Sequence, residues 1–162
     1  VIMIDLEGTL SDHTERLALL LANEEKYKGR DPEAWKRYYK GLLHDPPRPH
    51  IMSLVHDYIR DGMRPIIYST RFVNKYNHER QWLEAHDLLN DVELIQRESN
   101  QTKIKGPDLV VQWVRHYDPA IVVDDREEVR DKIRELHREI MAYHPNAFLQ
   151  LEGESDEHSL RE

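Results

Sequence analysis

The stretch Val1-Ile-Met-Ile-Asp5-Leu-Glu-Gly-Thr-Leu10 decides how the rest of the chain is read. Four apolar residues without alternation suit a strand buried on both faces, and the run stops at two carboxylates spaced i, i+2. A glycine follows, where the backbone can approach a ligand with no β-carbon in the way. Three further runs repeat the pattern: Pro65-Ile-Ile-Tyr68 before Ser69, Val92-Glu-Leu-Ile95 before Arg97, and Ala120-Ile-Val-Val123 before Asp124. Ile140-Met-Ala-Tyr143 is a candidate fifth. Between them, apolar residues at helical spacing predict helices over 50–60, 76–89, 107–117 and 126–137, the third opened by a proline suited to a first turn. The alternation predicts an α/β fold, a mostly parallel sheet with helices on both faces. In such sheets the ligand crevice lies at the carboxyl ends of the strands, where the polar residues just named fall.

Residues 11–49 break this rhythm. They predict helices over 14–25 and 32–40, then a stiff His44-Asp-Pro-Pro-Arg-Pro49, with Tyr27, Trp35, Tyr38 and Tyr39 concentrating aromatic surface. An insertion just after the first strand would stand over the crevice as a small helical cap. The expected organisation is one domain over 1–150 containing this cap, and an acidic, disordered tail over 151–162.

Composition narrows the function classes. The 162 residues suit one compact domain, and the chain has no cysteine. Disulfides, thiolate nucleophiles and cysteine-ligated zinc are thereby excluded, and a reducing cytoplasm is the compatible setting. No apolar run approaches the roughly 20 residues needed to cross a bilayer, and no signal-peptide pattern opens the chain, which begins inside an apolar run as though residues preceded it. A cytoplasmic protein with no membrane partner is the expectation. The formal charge of −8 argues against a domain that wraps duplex DNA non-specifically. It does not argue against a phosphorylated ligand, since a local positive cluster or bound cation reverses the sign inside a cleft. Nothing in the sequence sets an oligomeric state, and the ten histidines show no zinc spacing.

Each strand end has a chemical and a plainer reading. Asp5 is suited to in-line attack on phosphorus and to metal binding, and Glu7 to protonating a leaving oxygen and later taking a proton from water. The same pair also suits a solvated strand-to-helix turn. Ser69-Thr70-Arg71 offers hydroxyls and a guanidinium to phosphate oxygens, or a helix cap with an exposed arginine. Asp124-Asp125 repel each other unless a cation such as Mg²⁺ neutralises them, or serve as a favourable charge at a helix start. Arg97, Lys103 and Lys105 supply positive charge between the third and fourth strands, where a buried lysine could neutralise a phosphoryl group; for at least one of the two lysines a solvated face is the preferred reading. A phosphorylated receiver domain uses similar residues, but its acidic pair comes early and its lysine late.

The order Asp, Ser/Thr, Lys, Asp-Asp, each after a separate strand, resembles the haloacid dehalogenase (HAD) superfamily of phosphatases. Asp5-Leu-Glu-Gly-Thr is similar to motif one, Ile67-Tyr-Ser69 to motif two and Val122-Val-Asp124-Asp125 to motif four. Within the superfamily the chain resembles the phosphatase module of phage-type polynucleotide kinase/3′-phosphatase, from Asp5 to about Phe148. His13-x-x-Arg16, Trp35, Asp45-Pro-Pro, Ser69-x-Arg71, Trp82-Leu83 and Gln96-Arg97-Glu98 carry that finer likeness. No Walker-type glycine loop occurs, so a kinase half is not part of the match.

The resemblance implies a Rossmann-like core, a small cap, Mg²⁺ dependence and an aspartyl-phosphate intermediate. By position, Asp5 is the nucleophile; its carboxylate, the Glu7 backbone carbonyl and Asp124 hold Mg²⁺, with Asp125 helping directly or through water. Ser69 grips a phosphate oxygen, and Thr9, Arg16, Thr70, Arg71 and Arg97 are expected substrate contacts. Two features depart from the pattern. Glu7 stands where the family usually has aspartate, carrying its acid roughly 1 Å further, although Asp-x-Glu-Gly-Thr is also the enolase-phosphatase pattern. The motif-three lysine, expected over 109–112, is missing, so Lys105 or Lys103 must stand in, Lys105 by a small margin. The expected function is a Mg²⁺-dependent phosphomonoesterase acting on nucleotides or 3′-phosphate ends of nucleic acid. The alternative is a catalytically weakened module that binds phosphorylated ligands or a protein.

Overall fold

The computed structural model describes residues 1–73 and 75–149; the expected acidic tail lies outside the described residues. Five strands form one parallel sheet: β1 (Ile2–Asp5), β2 (Ile66–Ser69), β3 (Glu93–Gln96), β4 (Ile121–Val123) and β5 (Met141–Tyr143), in the order β3-β2-β1-β4-β5. Side chains alternate across a strand, so each strand feeds two cores. Ile2 and Ile4 of β1, Ile67 of β2 and Val123 of β4 pack on one face with α3 (Pro49–Arg60) and α4 (His78–Ala85). Met3, Ile66, Tyr68 and Val122 pack on the other with α5 (Gly106–Tyr117) and α6 (Glu127–Leu136). Both faces are therefore covered, as unalternating apolar runs require. Each fully buried aliphatic side chain contributes about 1.5–3 kcal/mol to that arrangement.

The edge strands depart from that pattern. Glu93 of β3 and Met141 of β5 are exposed, because an outer strand has a neighbour on one side only. Helix α4 is shorter than its apolar spacing predicts. Asn77, at φ 46°, starts it by accepting from the Arg80 amide, and Asp87, at φ 57°, turns the chain just past its end. Both ends are set by left-handed residues that periodicity does not register.

The cap contains α1 (Thr14–Tyr27), α2 (Pro32–Lys40) and a 3₁₀ turn, Gly41–His44. Asp31 caps α2 by accepting from the Glu33 amide, with Pro32 in the first turn. The insertion leaves and re-enters the core at one place: Ser11 bridges Pro47, and the Arg48 amide donates to the Leu10 carbonyl at 2.8 Å. That return is pinned to α4 by the Trp82 indole, which donates to the Asp45 carbonyl at 3.0 Å. No helix among the described residues is long and apolar enough to cross a membrane.

Candidate active site

Strand order turns around between β1 and β4, the place where a doubly wound sheet opens a crevice. Register pairs Ile4 with Val123, so the next residues, Asp5 and Asp124, leave the sheet side by side. Carboxylate oxygens of Asp5, Asp124 and Asp125 lie within 4.8 Å of one another. Buried Thr9 links them: its hydroxyl lies 3.2 Å from Asp5 Oδ2 and 3.1 Å from Asp125 Oδ1, and accepts from the Asp125 amide at 3.0 Å. The glycine between Glu7 and Thr9 is required twice over. Gly8 sits at φ 85°, and a β-carbon there would stand 2.6 Å from Asp125 Oδ2 and 2.8 Å from the His13 ring.

Charge is unevenly shared in this cluster. Burial, then the charge of Asp124, pushes the Asp5 carboxyl well above its ordinary range, with Arg126 opposing and Asp125 adding to the shift. Asp124, fully buried, accepts from the Tyr68 hydroxyl at 2.7 Å and from the Arg126 fork, Nε at 3.0 Å and Nη2 at 2.8 Å. Burial, then Asp124, raises the Tyr68 hydroxyl, which stays a donor. Asp5 has no such partner: Arg126 Nη2 is 3.7 Å from its Oδ1. Asp125 meets His13 Nε2 at 3.9 Å.

Across the mouth, Glu7 lies between two guanidinium groups, Arg16 Nη1 at 2.9 Å and Arg71 Nη1 at 3.2 Å. Arg16, on α1, also forks onto Asp45 at 2.6 and 2.7 Å and donates to the Tyr38 carbonyl. Arg71 reaches the Tyr39 carbonyl at 2.6 Å and Glu79 at 3.1 Å. These two arginines therefore tie the cap to the core.

Solved structures with the same arrangement of elements place this fold. A haloacid dehalogenase-like hydrolase from Streptococcus pneumoniae superposes with a TM-score of 0.59 over 93% of this chain and 96% of its own, at 12% identity. A predicted phosphatase from Clostridium acetobutylicum gives 0.58 over 87% and 82%, at 17% identity. A chain of the Pnkp1/Rnl/Hen1 RNA repair complex gives 0.60 over 89% of this chain, at 18% identity; this chain spans 41% of that one. The fold is that of the haloacid dehalogenase-like hydrolases. No protein-family model and no curated protein matches the chain.

In this HAD fold, a cavity of about 670 Å³ opens over the strand ends. Asp5, Glu7, Ser69, Thr70, Arg71, Arg97 and Asp125 line it, bringing together most of the residues singled out from sequence. Ser69, buried, is loosely held, its hydroxyl 3.5 Å from Glu79. Arg97 spends its donors on the backbone carbonyls of Thr70, Gln101 and Ile104, which fixes the loops after β2 and β3. Arg16 is not among the lining residues. Lys103 and Lys105 are exposed and are not among them either.

The cavity also holds residues that sequence reasoning passed over. Arg126, Phe72 and Arg30 line it, beside His13, which the sequence shows only as part of a motif, and the aromatic Trp35, Tyr38 and Tyr39 of α2. For Arg126 the signal was present but unread, since it directly follows the acidic doublet. Three carboxylates crowded at a buried strand end, two of them without a close cation, match Mg²⁺ in donor type and charge.

Proposed function

We propose that this protein is a phosphomonoesterase of the HAD type, with Asp5 as its nucleophile. The observation that carries this is the meeting of Asp5, Asp124 and Asp125 at the topological switch point, with Asp5 and Asp125 lining the same cavity as Ser69 and Thr70. Asp5, Asp124 and Asp125 would hold Mg²⁺, which when bound offsets their charge and polarises a phosphoryl oxygen. Asp5 attacks phosphorus in line; the ester P–O bond breaks, and the leaving oxygen takes a proton from Glu7. Glu7 then accepts a proton from water, whose oxygen attacks the aspartyl-phosphate; the Asp5–phosphorus bond breaks and phosphate leaves. Thr9 keeps Asp5 oriented, while the Ser69 and Thr70 hydroxyls hold phosphoryl oxygens. Aromatic and arginine side chains around the mouth favour a planar group beyond the phosphate. Nucleotides and 3′-phosphate ends of nucleic acid are the substrates we propose, in keeping with the fold shared with an RNA repair chain.

A second reading has one observation behind it: Glu7 is braced by two arginines, as in a module that binds phosphorylated ligands without turnover. Assay with Mg²⁺ on 5′- and 3′-mononucleotides, 3′-phosphorylated oligonucleotides and p-nitrophenyl phosphate separates the two. Turnover that disappears in Asp5→Asn is expected; no turnover of any substrate by the wild-type protein would favour the binding module.

A further inference from the structure

Phosphoryl transfer to Asp5 needs a fixed cation beside the nucleophile that also meets the phosphoryl oxygens. The lysines expected to provide it, Lys103 and Lys105, are exposed and are not among the cavity's lining residues, although Gly106, next to Lys105, is. Arg126 is in the cavity. Its guanidinium forks onto Asp124, donates from Nη1 to Thr70 Oγ1 at 2.9 Å, and holds Nη2 3.7 Å from Asp5 Oδ1. It thus spans the ends of β1, β2 and β4.

We infer that Arg126 is a catalytic residue of the phosphoryl transfer, filling from beyond the acidic doublet the place expected for the lysine. The inference rests on the phosphatase reading above. A guanidinium has five N–H groups, and the bonds to Asp124 and Thr70 use three of them. The remaining two, one on each terminal nitrogen, are available to Asp5 and to an oxygen of the phosphoryl group. The surroundings pre-organise this geometry. A β-carbon at Gly106, in the first turn of α5, would stand 3.2 Å from both Nη1 and Thr70 Oγ1, so the helix start closes tightly around the pair. A planar fork held at one edge by Asp124 keeps its other edge aimed, which a lysine ammonium on a flexible stem would not do. Arg126 transfers no proton. It donates hydrogen bonds to charge that shifts onto the phosphoryl oxygens as the Asp5–phosphorus bond forms and the ester bond breaks.

The test compares wild-type protein with Arg126→Ala, Arg126→Lys, Lys103→Ala and Lys105→Ala, measuring kcat and KM with Mg²⁺ and the thermal midpoint of each. Arg126→Ala is expected to lose kcat by on the order of 10²–10³-fold, with partial recovery in Arg126→Lys and on adding guanidinium ion to the alanine variant. The two lysine variants are expected to stay within about twofold of wild type. A folded Arg126→Ala with unchanged kcat, or the large loss appearing in either lysine variant, would overturn the inference. So would a loss that neither lysine nor guanidinium ion relieves, which would make Arg126 a positioning residue for Asp124. If Arg126→Ala does not fold, Arg126→Lys decides by the same kcat comparison. A wild-type protein inactive on every phosphomonoester would remove the phosphatase reading itself, and the inference with it.

Discussion

Two clusters of charge lie about the same cavity, and they are built differently. At the seam between cap and core, every carboxylate meets a guanidinium at 3.2 Å or less: Asp45 with Arg16, Glu7 with Arg16 and Arg71, Glu79 with Arg71. At the strand ends, Asp124 alone has such a partner, while Asp5 has Arg126 only at 3.7 Å and Asp125 has no guanidinium at that range among the described residues, facing the His13 ring at 3.9 Å. Both clusters are largely buried, so the difference is not one of solvent. A seam whose charges are already matched holds the protein together, and Glu7 is the one seam carboxylate to which we also assign proton transfer. A cluster left with excess negative charge is fitted to receive a cation and, through it, a phosphoryl group.

That contrast is broken most directly at Asp5. Asp5→Asn is expected to lower turnover by on the order of 10⁴-fold or more, while leaving the metal-free protein at least as stable as wild type, because it removes a crowded, buried negative charge. Thermal melting with and without Mg²⁺ checks the second half: the ion should raise the wild-type midpoint more than the variant's. A variant melting well below wild type without metal would show that Asp5 is satisfied as it stands.

The seam should behave in the opposite way. Arg16→Ala strands Asp45 without its partner and leaves Glu7 with Arg71 alone, and the expected cost is about 3–5 kcal/mol of folding stability, measurable by urea unfolding. A loss below about 1 kcal/mol, the range of surface ion pairs, would mean that the cap is not held there. Gly8→Ala sharpens the comparison because the nearest atoms that a β-carbon at Gly8 would meet belong to Asp125 and His13, not to the seam. Strain at positive φ is worth about 1–3 kcal/mol, and the new methyl group displaces Asp125 or His13, so Mg²⁺ affinity should fall with stability. Titration calorimetry with Mg²⁺ on this variant reads the effect, and undiminished affinity would separate Asp125 from the metal. Smallest of all, Asp31→Ala removes only the cap of α2 and should cost about 1 kcal/mol with no change in Mg²⁺ affinity.

The strand ends were legible because the information is local. An apolar run buried on both faces and stopped by a carboxylate says where the side chain will stand, and the parallel sheet then sets Asp5 beside Asp124. The seam was not legible in that way. Arg16 and Arg71 stand in the sequence as substrate-binding arginines, yet their partners lie 29 and 64 residues away at Asp45 and Glu7. Glu79, inside an amphipathic helix, shows nothing of its place beneath Ser69 and Arg71. Arg126 directly precedes a helix and reads as part of its first turn; only the fold of its side chain back over Asp124 brings it to the nucleophile. Exposure of Lys105 follows from its position as the extended residue that leads into α5.

Rapid acid quenching during turnover of a radiolabelled phosphomonoester, followed by peptide mapping, asks most directly whether Asp5 becomes phosphorylated. Label on the peptide that carries Asp5, absent from Asp5→Asn, is the expected result. Steady turnover with no label held by the protein, and undiminished in Asp5→Asn, would contradict it.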